Sequence, residues 1–309
     1  MGLSWPMIQN VGGDMSEPER QAVTGVLDEF GVAAEAAVAR IGVPLHASPI
    51  WRPWNLVVMQ DAEKVVAAFS PLQGGTAMVR WLDRGSQIFP PEALASSVVN
   101  ELGLPVSALV VLPRPESAQR SAAVQAAAMS HASDVERSQR LGRLGDLTGL
   151  LHLEPSLRTF LDDHPDPNRN VFVMMRFLAN PQMSEIFAGI KRSLAMRGFD
   201  AVRADDRDYT GELWSNIEVY MACSMLGIAV LEDIDKRDFN PNVSLELGYM
   251  LGRRRRCLIL KEQRLPNVPA DVVHRLYKPF DMFNITGSIE REVGRWVDVD
   301  LGIGPAGVA

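Results

Sequence analysis

Through the second half of the chain, short unbroken apolar runs alternate with stretches whose apolar residues recur every three or four positions. Residues 171–177, 225–231 and 256–260 are runs of the first kind, dense enough to fill strands buried on both faces. Between the first two, 183–197 carries Ile186, Phe187, Ile190 and Leu194 at helical spacing and stops at Gly198. A second strand, 199–204, closes on Asp205-Asp206. The helix 211–222 then puts Leu213, Trp214, Ile217 and Tyr220 on one side, and the third strand closes on Glu232-Asp233. A helix over 242–251, the fourth strand, a short fifth strand over 277–282 and a helix over 285–297 complete the series. Strand and helix alternating at this spacing predict right-handed βαβ units and a parallel sheet. The expected class is α/β, with a flavodoxin-like five-stranded parallel sheet in the C-terminal half. Five strands suggest the order 2-1-3-4-5, which the sequence itself does not fix. In such sheets ligands bind beyond the carboxyl ends of the strands, at the switch point between strands one and three.

The first half has another texture. Residues 16–41 predict a helix, with Pro18 in its first turn and Val23, Val26, Leu27 and Phe30 at helical spacing. Three β-like pieces follow, 54–59, 65–69 and 77–82, separated by Asp61-Ala62-Glu63, Gly74-Gly75 and Asp83-Arg84-Gly85. A helix over 92–102 and one more strand, 108–112, make a small α+β unit with no catalytic motif. From 117 to 143 the chain turns Ala-, Ser-, Gln- and Arg-rich, as in a polar helix or hinge. Helical Leu spacing over 144–161 ends at Asp162-Asp163-His164-Pro165-Asp166-Pro167-Asn168, which no helix can cross. The expected organisation is a small α+β domain over 1–116, a helical linker region over 117–167 and the parallel α/β domain over 168–300.

Composition narrows the functional classes. A formal charge of −7 argues against a broad nucleic-acid binder, which needs a basic face, and leaves room only for a local basic pocket. Cys223 and Cys257 each sit in an apolar stretch and are expected to be buried structural thiols. The five histidines show no clustering and no zinc spacing occurs, so no metal is expected. The first 14 residues lack the make-up of a secretory signal, and no apolar run reaches the ~20 residues that span a bilayer. A cytoplasmic protein without a membrane partner is the expectation. No Gly-x-Gly-x-x-Gly or Walker sequence appears, which disfavours a dehydrogenase or an NTPase.

The switch-point rule selects Met175-Arg176-Phe177, Asp205-Asp206, Glu232-Asp233 and the loop and helix that begin at Asp238-Phe239. There Asn240 fits an N-cap and Pro241 the first helical position. Glu246 follows one and a half turns in, flanked by the apolar Val243, Leu245, Leu247 and Met250, with Tyr249 on its side of the helix. A carboxylate in an apolar setting is costly without a partner or a use, so Glu246 either pairs with an arginine or serves a site. Arg176 fits a phosphate contact or a solvated loop position. Trp214 fits a stacking surface or, more simply, a core aromatic. The arginines of 253–256 fit a solvated basic turn beyond the helix end.

The segment Asn240-Pro241-Asn242-Val243-Ser244-Leu245-Glu246-Leu247-Gly248-Tyr249, followed by Gly252 and the strand 257–260, resembles the signature of TIR-like and nucleoside 2-deoxyribosyltransferase-like domains. The opening strand, Arg203-Ala204-Asp205-Asp206 and Leu213-Trp214-Ser215-Asn216-Ile217 fit the same pattern. Pro269-Ala270-Asp271, Tyr277 and Phe280-Asp281 are similar to the closing segment of bacterial TIR-like effectors. The likeness covers about residues 170–297 and none of the N-terminal half.

The resemblance implies that Glu246 attacks or stabilises C1′ of a ribose while the base departs. Breaking an N-glycosidic bond builds oxocarbenium character at C1′, which a fixed carboxylate stabilises or traps. Cationic nicotinamide leaves without a general acid. A nucleoside base needs a proton, and Asp205 or Asp206 is the candidate donor, with loop capping as the alternative role; Asp206 is taken as the catalytic one. The substrate-binding candidates are Arg176, Phe177, Asp205, Trp214, Asn240, Asn242, Ser244 and Tyr249. The implied function is an N-glycosidase that hydrolyses NAD or a related nucleotide, with NAD as substrate and no cofactor. The implied setting is bacterial antiphage defence, with the N-terminal unit sensing or assembling a homo-oligomer. A nucleoside or nucleotide deoxyribosyltransferase or hydrolase is the second reading, and a nucleotide-binding sensor without turnover is the third.

Overall fold

A computed structural model describes residues 9–52, 54–72, 77–103, 105–234, 240–266 and 277–303 of the chain. The turn at Gly74-Gly75, the Asp238-Phe239 start of the long loop and Pro269-Ala270-Asp271 lie outside them. The chain forms two compact units, Met1–Gln139 and Arg140–Ala309.

The first unit holds β1 (Gln9–Gly13), α1 (Glu17–Arg40), β2 (Trp54–Gln60), β3 (Lys64–Pro71), β4 (Met78–Asp83), α2 (Pro91–Leu102) and β5 (Ala108–Pro113). Its mixed sheet runs β1-β4-β2-β3-β5, with β4 parallel to both neighbours and the β2–β3 and β3–β5 pairs antiparallel. Strands β2 and β3 are buried on both faces, so their apolar residues divide by alternation. Leu56, Val58, Val65, Ala67 and Phe69 pack with Val23, Leu27 and Phe30 of α1. Val57, Met59, Val66 and Ala68 pack with Leu94 and Val98 of α2. The sequence pattern did not announce β1.

Helix α3 (Arg120–Gly142) contains the division between the units. Val124, Ala128 and Ala132 join the core of the first unit, whereas Leu141 and Leu144 belong to the second. The division falls well before the Asp/Pro cluster at 162–168. The cluster does stop a helix, α4 (Glu154–Asp163), but Leu157, Phe160 and Leu161 already pack into the second core.

That second unit continues with β6 (Asn170–Met174), α5 (Pro181–Ala195), β7 (Asp200–Val202), α6 (Leu213–Ala222), β8 (Leu226–Leu231) and α7 (Pro241–Gly252). Next come β9 (Arg256–Glu262), β10 (Lys278–Phe280) and α8 (Ile285–Arg295), with a π turn at Trp296–Asp300. All strand pairs are parallel, and the sheet order β7-β6-β8-β9-β10 is the flavodoxin-like 2-1-3-4-5. Side chains of β6 alternate between two cores. Val171 and Val173, with Met175 just beyond the strand, meet α5 and α8, while Phe172 and Met174 meet α4, α6 and α7. Cys223 is buried, Cys257 only half-buried, and no disulfide joins them. Among the described residues no helix is long and apolar enough to cross a membrane.

Candidate active site

A cavity of about 520 Å³ opens at the carboxyl ends of β6 and β8, where the sheet order reverses. One wall is Met175-Arg176-Phe177 after β6, a second is the start of α6, and the third is the first turns of α7. Helix α7 begins where its sequence says it should. Asn240 caps it by accepting a hydrogen bond from the Asn242 N–H at 3.0 Å, and Pro241 occupies the first turn.

That start fixes the rotation of α7. Val243, Leu247 and Met250 face the core, and Glu246 stands at the edge of the same face, lining the cavity at 6% exposure. Among the described residues no cation and no hydrogen-bond donor reaches its carboxylate. Burial alone raises its pKa from 4.5 to about 7. The arginine pair is thus not what holds Glu246 in place. Leu245, expected on a buried flank, is instead 59% exposed and lines the cavity.

Arg176 is committed elsewhere. Its Nε lies 2.9 Å from Oε1 of Glu232, which is itself buried and accepts a hydrogen bond from the Ile234 N–H at 2.7 Å. The pair ties the ends of adjacent strands β6 and β8, so Arg176 is neither a solvated loop residue nor an uncommitted phosphate contact, although it lines the cavity.

The cavity brings together Glu246, Arg176, Phe177, Trp214, Asn240 and Asn242 from the sequence-derived set, and leaves out the rest. Trp214 is 37% exposed and Phe177 more so, which leaves two aromatic surfaces open for a planar ligand. Asp205 and Asp206 do not line the cavity. Asp205 pairs with the Arg203 guanidinium at 2.8 Å, and Asp206 accepts the Arg203 backbone N–H at 2.9 Å, which is the loop-capping arrangement. Tyr249 does not line the cavity; it packs against the core, with Arg253 5.9 Å from its ring. Ser244 also lies outside the cavity. The arginines after α7 are not merely solvated: Arg255 donates to the carbonyl of Leu144 at 2.9 Å, and Arg253 to that of Asp146 at 2.8 Å.

Sequence reasoning missed Glu212. It precedes α6 as the N-cap, accepting hydrogen bonds from the N–H of Ser215 at 2.7 Å and of Trp214 at 3.4 Å, and it lines the cavity. The Ser215 side chain foremost, and then the backbone N–H groups of Ser215 and Trp214, hold its carboxyl below the ordinary glutamate range. The available signal was Gly211, whose φ of +75° turns the chain into the cap.

Among the described residues no three His, Cys, Asp or Glu side chains group as metal ligands. No family model matches the chain, and no curated protein or solved structure matches it.

Proposed function

We propose that the C-terminal unit is an N-glycosidase that hydrolyses the bond between ribose and base in NAD or a related nucleotide. The observation that carries this reading is Glu246, a buried carboxylate without a described partner, lining a ligand-sized cavity at the switch point of a parallel sheet. In this reading the C1′–N bond breaks and its electron pair stays on the departing nicotinamide, which becomes neutral. Ionised Glu246 stabilises the oxocarbenium ion at C1′; water then adds there and gives up a proton. Phe177 and Trp214 supply faces for the base. With Arg176 paired to Glu232, the two glutamates leave the described cavity anionic, which suits a cationic leaving ring.

The nucleoside hydrolase or deoxyribosyltransferase reading draws less support, because Asp206, the donor it needs for a neutral base, stands outside the cavity. The antiphage setting and a homo-oligomer assembled through the N-terminal unit belong to the same proposal and rest on the sequence resemblance. The test is to incubate the full chain with NAD and a nucleoside panel and to resolve released base by chromatography. Release of nicotinamide, slowed about 10²-fold or more in Glu246→Gln, is expected. No release of any base by protein shown to bind these compounds would leave the sensor reading in place.

A further inference from the structure

Glu212 differs from Glu246 in every property that matters for a ligand. It is exposed, and hydrogen bonds from Ser215 and Trp214 of its own helix favour its ionised form. An ionised carboxylate only accepts hydrogen bonds, and those from Ser215 and Trp214 leave part of its capacity unused. It also occupies the N-terminus of α6, the place where a phosphate would otherwise settle. A group seated against it must therefore bring hydrogen-bond donors and no negative charge; the hydroxyls of a sugar meet that requirement. The second carboxylate of the same cavity, nine-tenths buried and without a described partner, shows that the space is built for a ligand.

We infer that Glu212 is a specificity residue that accepts hydrogen bonds from the ribose hydroxyls next to the scissile bond, so that the site selects a ribose whose 2′- and 3′-hydroxyls are free. The inference rests on the glycosidase reading, since it takes the sugar to lie between Glu212 and Glu246. It separates two duties that one carboxylate would otherwise share. Glu246 faces the anomeric carbon, and Glu212 holds the ring by its hydroxyl edge.

The test uses the full chain carrying Glu246→Gln, which slows turnover about 10²-fold or more and so keeps the ligand intact during the titration. Calorimetry compares NAD with the analogue bearing fluorine in place of the 2′-hydroxyl on its nicotinamide ribose. Fluorine keeps the size and removes the donor. NAD should bind roughly tenfold more tightly, as expected for one hydrogen bond to a charged group. Adding Glu212→Ser, which keeps a capping oxygen for α6, should bring the two ligands within about twofold. Glu212→Gln, which keeps the length and removes the charge, should shrink the preference as well. A preference that survives both substitutions, or no preference in the parent, overturns the role of Glu212 and leaves the glycosidase reading standing. If neither ligand binds and no base is released by the wild-type chain, the glycosidase reading itself falls and takes this inference with it.

Discussion

Arg176 and Glu232 fasten the carboxyl ends of two neighbouring strands to each other, guanidinium Nε to carboxylate Oε1 at 2.9 Å, with Glu232 almost wholly buried. Removing one partner of a buried pair strands the other charge and costs about 3–5 kcal/mol. Arg176→Met should therefore destabilise the unit by about 3 kcal/mol in chemical denaturation, and adding Glu232→Gln should restore most of it. A cost below about 1 kcal/mol for Arg176→Met would show that the pair is not a fastening.

Glu246 stands in the opposite relation to stability. Its carboxyl titrates near 7 in the folded chain against 4.5 when exposed, so between those values the folded state keeps a proton that the unfolded state has lost. Stability then falls as pH rises through that window, by about 3 kcal/mol in all. Glu246→Gln lifts the penalty. The variant should melt higher than the parent at pH 8, show little difference at pH 4.5, and lose about 10²-fold or more in turnover. A lower melting point at pH 8 would mean that the carboxylate has a stabilising partner after all.

The same carboxyl sets the rate profile. Only ionised Glu246 stabilises a cation at C1′, so kcat/KM should climb about tenfold between pH 6 and pH 8. Glu212 is held below the usual range by its cap bonds and does not titrate in this interval. A flat profile across these pH values would remove Glu246 from the chemistry.

Asp206 provides a control on the same edge of the sheet. Because it caps the Arg203 N–H outside the cavity, Asp206→Ala should cost about 1 kcal/mol of stability and leave base release per folded molecule within about twofold. A hundredfold fall without unfolding would return it to the role of proton donor.

The parallel sheet was legible because β6, β8 and β9 are apolar on both faces, a pattern that little else produces at that length. Strand β1 was not, since Gln-Asn-Val-Gly-Gly carries neither alternation nor β-branched density. The division at Gln139 was hidden for a different reason. Composition is uniform across α3, and only the choice of core made by Ala132 on one side and Leu141 on the other marks it. Trp214 and Leu245 show where helical periodicity stops informing: it gives the side of a helix, not whether that side meets a core or a cavity. Glu212 escaped because glutamate is not among the favoured capping residues, and its position depends on where α6 starts.

Two walls of the cavity are the opening turns of α6 and α7, closed by Glu212 and Asn240. Helix ends are the segments that unfold locally at least cost, and their amides exchange with deuterated solvent through such openings. A molecule lodged between the two caps holds both turns shut for as long as it stays. The amides of Trp214, Ser215 and Asn242, each donated to a cap, are therefore placed to record residence time. Their protection would lengthen in step with occupancy, while amides at the centre of β8 continue to report only the opening of the whole unit.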